Sequence, residues 1–122
     1  MKKLFPFLLI FLLSTCDAVN SDIDPDSVYI RIVNSSQLDF TSVHLRFPNS
    51  KHTFGPIDSG RSSRYQKFEE AYRYGYIEVK TERDMYVLQP IDYVGEQPLG
   101  SGKYTFKLDL WDQYVTLETI ED

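Results

Sequence analysis

The sequence predicts an all-β domain. The expected form is an antiparallel β-sandwich of about seven or eight short strands, immunoglobulin-like or transthyretin-like, with a small β-barrel as the alternative. Three observations predict it. Beyond residue 27, apolar and polar side chains alternate with period two in run after run, the pattern of half-buried strands. Turn-forming residues separate those runs about every eight to twelve residues. No stretch after the first sixteen residues carries a convincing helical repeat.

Taken in order, Val28, Ile30 and Ile32 alternate with Tyr29, Arg31 and Val33, and Asn34-Ser35-Ser36 makes a turn. A run opening at Phe40 puts Val43, Leu45 and Phe47 on one face and Ser42, His44 and Arg46 on the other, until Pro48-Asn49-Ser50 breaks it. Thr53 to Ile57 is short and cut by Gly55-Pro56. After the turn Asp58-Ser59-Gly60, a more polar strand runs from Ser62 to Phe68. Arg61, Arg64 and Lys67 mark it as an edge, where charge discourages unwanted pairing. Glu69-Glu70-Ala71 forms a bend or single helical turn.

Tyr72 to Lys80 follows as a strand with Tyr72, Tyr74 and Tyr76 on one face and Ile77 and Val79 on the other. Thr81 to Asp84 turns the chain into Met85–Ile91, where Pro90 sits near the end and its missing N–H is tolerated. Asp92 to Gly102 is the longest loop. Lys103 to Leu110 alternates most cleanly, with Tyr104, Phe106, Leu108 and Leu110 inward, and Trp111-Asp112-Gln113 turns into a last strand, Tyr114 to Ile120. Several of these strands are one-sided and one is a true edge, which favours a sandwich over a closed barrel.

The first sixteen residues read differently. Lys2 and Lys3 precede an apolar run, Leu4 to Leu13, of about half the length a helix needs to cross a ~30 Å hydrocarbon core. A charged start, such a run and a small-residue exit describe a secretory signal. The exit is Leu13-Ser14-Thr15-Cys16, and Cys16 is the single cysteine, so no intramolecular disulfide exists. This pattern resembles the lipobox of bacterial lipoproteins, with Thr15 larger than the usual residue before the cysteine. The resemblance implies a diacylglyceryl group on the Cys16 sulfur, cleavage after Thr15 and acylation of the new amine. One acyl chain binds a membrane only reversibly, whereas two or more hold it. The expected location is therefore the bacterial cell envelope, lipid-anchored, at the outer membrane, periplasmic or surface-exposed.

The domains expected are a signal peptide over 1–15, an acidic flexible tether over 16–27 and a β-sandwich over 28–122. Cleavage takes fifteen residues from 122, leaving 107, and losing Lys2 and Lys3 moves the formal charge from −5 to −7. That balance gives no electrostatic case for binding nucleic acid or for lying on anionic lipid. Nine tyrosines and eight phenylalanines make the chain too aromatic for disorder. In the tether, Asp22, Asp24 and Asp26 alternate like the start of a calcium loop, but Ser27 and Val33 stand where glycine and glutamate are needed. No calcium site is expected.

The segments Phe54-Gly55-Pro56-Ile57-Asp58-Ser59-Gly60, Tyr72-Arg73-Tyr74-Gly75-Tyr76-Ile77-Glu78-Val79 and Leu88-Gln89-Pro90-Ile91-Asp92-Tyr93-Val94-Gly95-Glu96, with Gly102-Lys103-Tyr104-Thr105-Phe106, are similar to small uncharacterised lipoproteins of Bacteroidetes-type bacteria. That resemblance implies a fold and a location but no activity.

Catalytic and metal signals are weak. His44 and His52 are the two imidazoles; the pattern turns His44 to solvent and places His52 in a turn, with no metal-ligand spacing between them. No Gly-x-Ser-x-Gly elbow occurs. Glu69, Glu70, Asp92 and Glu96 are ordinary acidic loop residues rather than a glycosidase pair. No metal, cofactor or catalytic residue is expected.

The aromatics carry the functional reading. Tyr72, Tyr74 and Tyr76, with Tyr65, Tyr93 and Trp111 as neighbours, form a candidate ligand-binding face for a protein or glycan, since exposed rings are enriched at interfaces. The first expectation is a non-enzymatic binding or adhesion module that uses this face or the Asp92–Gly102 loop. The second is a structural or accessory subunit of an envelope complex that pairs a sheet edge with a partner strand. A small hydrolase is a remote third.

Overall fold

The computed structural model describes residues 24–90 and 96–122. Eight strands follow one another: β1 Val28–Asn34, β2 Ser42–Arg46, β3 Lys51–Phe54, β4 Gln66–Phe68, β5 Tyr76–Lys80, β6 Met85–Leu88, β7 Gly102–Trp111 and β8 Tyr114–Glu121. Among the described residues there is no helix. The expected all-β class and strand count stand.

The arrangement differs from the expectation. All eight strands join one sheet in the order β3-β2-β5-β6-β8-β7-β1-β4, and β3 and β4 come into contact at its two ends. The sheet is curled into a nearly closed, barrel-like form, and a division into two facing sheets is not confirmed. It is also mixed rather than antiparallel. β1 runs parallel to β7 along its whole length, from Val28 beside Gly102 to Asn34 beside Leu108, and β6 meets β8 in parallel through Val87 and Tyr114. Period two shows which face a side chain takes but not which strand lies beside it, so neither pairing was visible in the alternation.

The core lies inside the curl. Ile30 and Ile32 of β1, Val43 and Leu45 of β2, Ile77 and Val79 of β5, and Phe106 and Leu108 of β7 are fully buried. The β3–β4 edges approach without a hydrogen-bonded ladder. Aromatic side chains fill the seam instead, with the His52 ring 4.7 Å from Phe54 and 6.3 Å from Phe68. His52 is thus a strand residue facing inward beside Leu45, not the turn residue expected, and burial pushes its pKa below the ordinary histidine value.

The strand directions define two ends. β1, β3, β5 and β7 run toward one end, and β2, β4, β6 and β8 run back. The chain enters at Asp24, whose backbone N–H donates to the Tyr29 hydroxyl at 2.7 Å and whose carboxylate accepts from Asp26 N–H and the Ser27 hydroxyl. These bonds hold the Asp24 carboxyl below its usual range, the Asp26 backbone contributing most. This entry end also carries residues 47–50, 69–75 and 96–101. The other end, the tip, carries residues 35–41 and 55–60 and the turns at 81–84 and 112–113. β1 alone separates the two by about 23 Å at ~3.3 Å per residue.

Candidate functional site

The tyrosine face expected over residues 72–76 does not form as one strand. β5 begins only at Tyr76, and Tyr72 and Tyr74 lie in the bend before it. The cause is Gly75. A side chain there would approach the Phe47 ring to 2.8 Å and the Arg46 carbonyl to 3.0 Å, so the backbone presses against β2's end and turns into the sheet. Tyr72 is drawn onto the core, 6.3 Å from Phe47. Tyr74 borders a groove with Leu88, Pro90, Val115 and Leu117. Tyr76 is engaged on both sides: the Arg46 guanidinium lies 4.4 Å over its ring and its hydroxyl donates to Glu78 at 3.2 Å. Burial and then Glu78 push its pKa up. Tyr93 lies outside the described residues, as do Asp92 and Cys16.

Tyr65 stands apart on β4's side of the sheet. Its hydroxyl donates to the Asp122 carboxylate at 2.6 Å, and Arg31 and Lys103 each lie 5.2 Å over its ring. Thr105 donates to the same carboxylate at 2.7 Å. Burial would raise the Asp122 pKa, but the hydrogen bonds from Tyr65 and Thr105 and the nearby Arg31 outweigh it and hold the carboxyl below its usual value. This cluster covers the outer face of β7 and explains why Thr105, outward by alternation, is buried.

Trp111 is the expected site residue that reaches solvent. It is 74% exposed, and Tyr114, opposite it across the β7–β8 turn, is 62% exposed. Asp112 between them takes a left-handed φ of 58°, a conformation aspartate tolerates. The next pair, Leu110 and Val115, faces the core, so Trp111 and Tyr114 share the outer face. Val87 lies beside Tyr114, and Met85, 53% exposed, is two residues further along the same outward row.

The tip has a second apolar element that sequence reading missed. Leu38, 46% exposed, sits on the loop between β1 and β2. That loop is held from below by Asn34, which is fully buried. Its side-chain amide donates to the Leu38 carbonyl at 2.8 Å and the Ile57 carbonyl at 2.9 Å, while its oxygen accepts from the Ser36 N–H and hydroxyl. Ser59 ties the loop sideways, through Asp39 and the Ser36 carbonyl. Asn34 reads in sequence as a turn former, and nothing local marks it as the hub of a loop.

Two clefts flank Leu38. One, of about 430 Å³, is lined by Gln37, Asp39 and the turn Thr81–Asp84. The other, of about 500 Å³, is lined by Ser35, Ser36, Tyr86, Asp109, Leu110 and Asp112. Of the five large hydrophobic side chains exposed among the described residues, Leu38, Met85, Trp111 and Tyr114 are at the tip and Ile120 is on β8 toward the entry end. His44 and His52 lie on adjacent strands but opposite faces, and His44 bonds to Thr53 at 2.7 Å. Among the described residues no group of three or more His, Cys, Asp or Glu side chains could hold a metal ion.

No family model matches the chain, and no curated protein matches it. Among solved structures, the chain is similar to an NMR structure of a protein from Eubacterium rectale. The two share 11% identity at a TM-score of 0.56, over 75% of this chain and 88% of that one. At that identity the likeness concerns the fold alone.

Proposed function

We propose that this protein is a non-enzymatic binding or adhesion module of the bacterial cell envelope, lipid-anchored through Cys16, that contacts a protein or glycan with its tip. One observation carries the reading: the exposed apolar side chains gather at the end opposite the point where the chain enters the fold. A tether from Cys16 reaches the domain at Asp24, so Trp111 and Tyr114 would point away from the membrane, at the outer membrane or cell surface. The anchor rests on the lipobox Leu13-Ser14-Thr15-Cys16 and on the likeness to Bacteroidetes-type lipoproteins. The curled sheet is read as a partly open barrel rather than an immunoglobulin-like or transthyretin-like sandwich, supported by the approach of β3 to β4.

Two experiments test this. Intact mass and detergent partitioning of the protein from its native membrane, beside Cys16→Ala, should give a chain starting at Cys16 with added acyl mass, lost in the variant. A free thiol on the mature protein would sink the anchor. A photo-crosslinking amino acid placed at Trp111 and, separately, at Arg73 at the entry end should label an envelope component from the tip position alone. Equal labelling from both positions would sink the binding tip.

A second reading, an accessory subunit using sheet-edge pairing, has its own observation. β6 pairs with β8 only through Val87 and Tyr114. Past that point the flank of β8 opens on a groove of about 410 Å³ lined by Tyr74, Leu88, Pro90, Val115 and Leu117. Crosslinking from Thr116 rather than Trp111 would favour it.

A further inference from the structure

The tip's apolar crest has a charged rim of one prevailing sign. Asp39, Glu82 and Asp84 line the cleft on one side of Leu38, and Asp109 and Asp112 line the other. Arg83 is the one basic residue lining either cleft. A second copy of this chain would bring the same acidic rim against itself, and a chain of net charge −5 is repelled further by its own kind. An anionic lipid surface or a nucleic acid is opposed for the same reason. A neutral sugar could donate its hydroxyls to these carboxylates, but it brings no positive charge to offset their gathering on one rim. The loop bearing Leu38 is fixed by Asn34 and Ser59 in advance, so a ligand does not have to order it.

We propose, resting on the reading of the tip as a binding surface, that its partner is a cationic protein segment. Two basic side chains of that segment enter the clefts on either side of Leu38, and an apolar side chain between them packs on Leu38. The neighbouring Trp111 and Tyr114 rings cover the segment's flank. In an extended segment, side chains at alternate positions share one face about 6.6 Å apart, so a basic-apolar-basic set at alternate positions presents all three side chains to the tip.

Trp111 is the sole indole in the chain and sits between Leu110 and Asp112, which line one of the clefts, so its emission serves as the reporter. Its emission is followed while the full chain is titrated with four probes. Three are short peptides, Gly-Arg-Gly-Leu-Gly-Arg-Gly and its versions with glutamine or glutamate for arginine; the fourth is an uncharged β-1,4-linked glucose oligomer. The arginine peptide alone should shift the emission to the blue and saturate. Two partly exposed charge pairs together amount to about tenfold in affinity. Glu82→Gln combined with Asp112→Asn should lose about that factor, and so should raising the salt to about 1 M, where the Debye length is about 3 Å. Asparagine tolerates the left-handed backbone as aspartate does, so the Asp112→Asn change preserves the turn.

Equal responses to the three peptides would overturn the inference, as would no response to the arginine peptide. A response to the glucose oligomer alone would overturn it while leaving the binding tip in place. Failure of the tip itself shows separately, as equal crosslinking from the positions of Trp111 and Arg73.

Discussion

At the entry end, Phe47 meets Phe68, Tyr72 and Phe106 at ring-centre distances of 5.4, 6.3 and 6.2 Å, and Tyr76 is covered by Arg46. At the tip, Trp111 and Tyr114 face solvent with no aromatic ring stacked on either among the described contacts. The two ends hold the same kind of side chain under opposite conditions. Where a loop folds back over the rings, as residues 69–75 do, they become core. Where a two-residue turn simply reverses the chain, they stay outside. The presence of aromatics therefore says little about binding; what covers them decides.

That contrast can be broken by substitution. Phe47→Ala removes the ring that three aromatic neighbours share, and should cost about 3–5 kcal/mol of stability, read from urea unfolding. A loss below about 1 kcal/mol would mean that the entry-end cluster is not part of the core. Asn34→Ala removes the amide's bonds to the Leu38 and Ile57 carbonyls and the acceptor of the Ser36 N–H, and should cost about 1–3 kcal/mol. It should also broaden the NMR signals of residues 35–39 while leaving those of β5 in place.

The Asp122 clamp gives a pH signature. A carboxyl held below its ordinary value adds stability that is complete above the unfolded carboxylate range, near pH ~3.9, and is lost as pH falls through the lower folded value. Urea midpoints of the parent and Asp122→Asn should differ at about pH 7 and converge at about pH 2. A gap that persists unchanged in acid would show that the clamp acts through something other than charge. The smallest effect belongs to Trp111→Ala, which should change the urea midpoint by no more than the equivalent of about 0.5 kcal/mol, as for an uncovered surface residue.

Much of the fold was legible because strands carry their burial in their alternation. Tyr104, Phe106 and Leu108 face inward as read, and eight strands lie close to where turn residues divided the chain. The pairing of β1 with β7 was not legible, since the alternation of Val28, Ile30 and Ile32 is satisfied equally by either neighbour or either direction. Tyr72, Tyr74 and Tyr76 alternate as the residues of a strand do. They misled because the close approach of Gly75 to Phe47 is a tertiary event with no local trace beyond a glycine. At the tip, Trp111 was visible as a turn residue, but Leu38 depends on the burial of Asn34 beneath it, which a turn-forming asparagine does not announce.

The parallel pairing of β1 with β7 has a consequence in time. Arg31 and its neighbour Thr105 are 74 residues apart in the chain, so the first strand has to wait for nearly the last before it gains its long partner. Closing so large a loop before any reward is slow, and domains dominated by such contacts fold in milliseconds to seconds rather than microseconds. During synthesis the strands β1 to β6 emerge with a free edge at each side and no way to complete the curl. Refolding from urea should therefore be slow, and a chain truncated before β7 should aggregate rather than adopt a smaller fold.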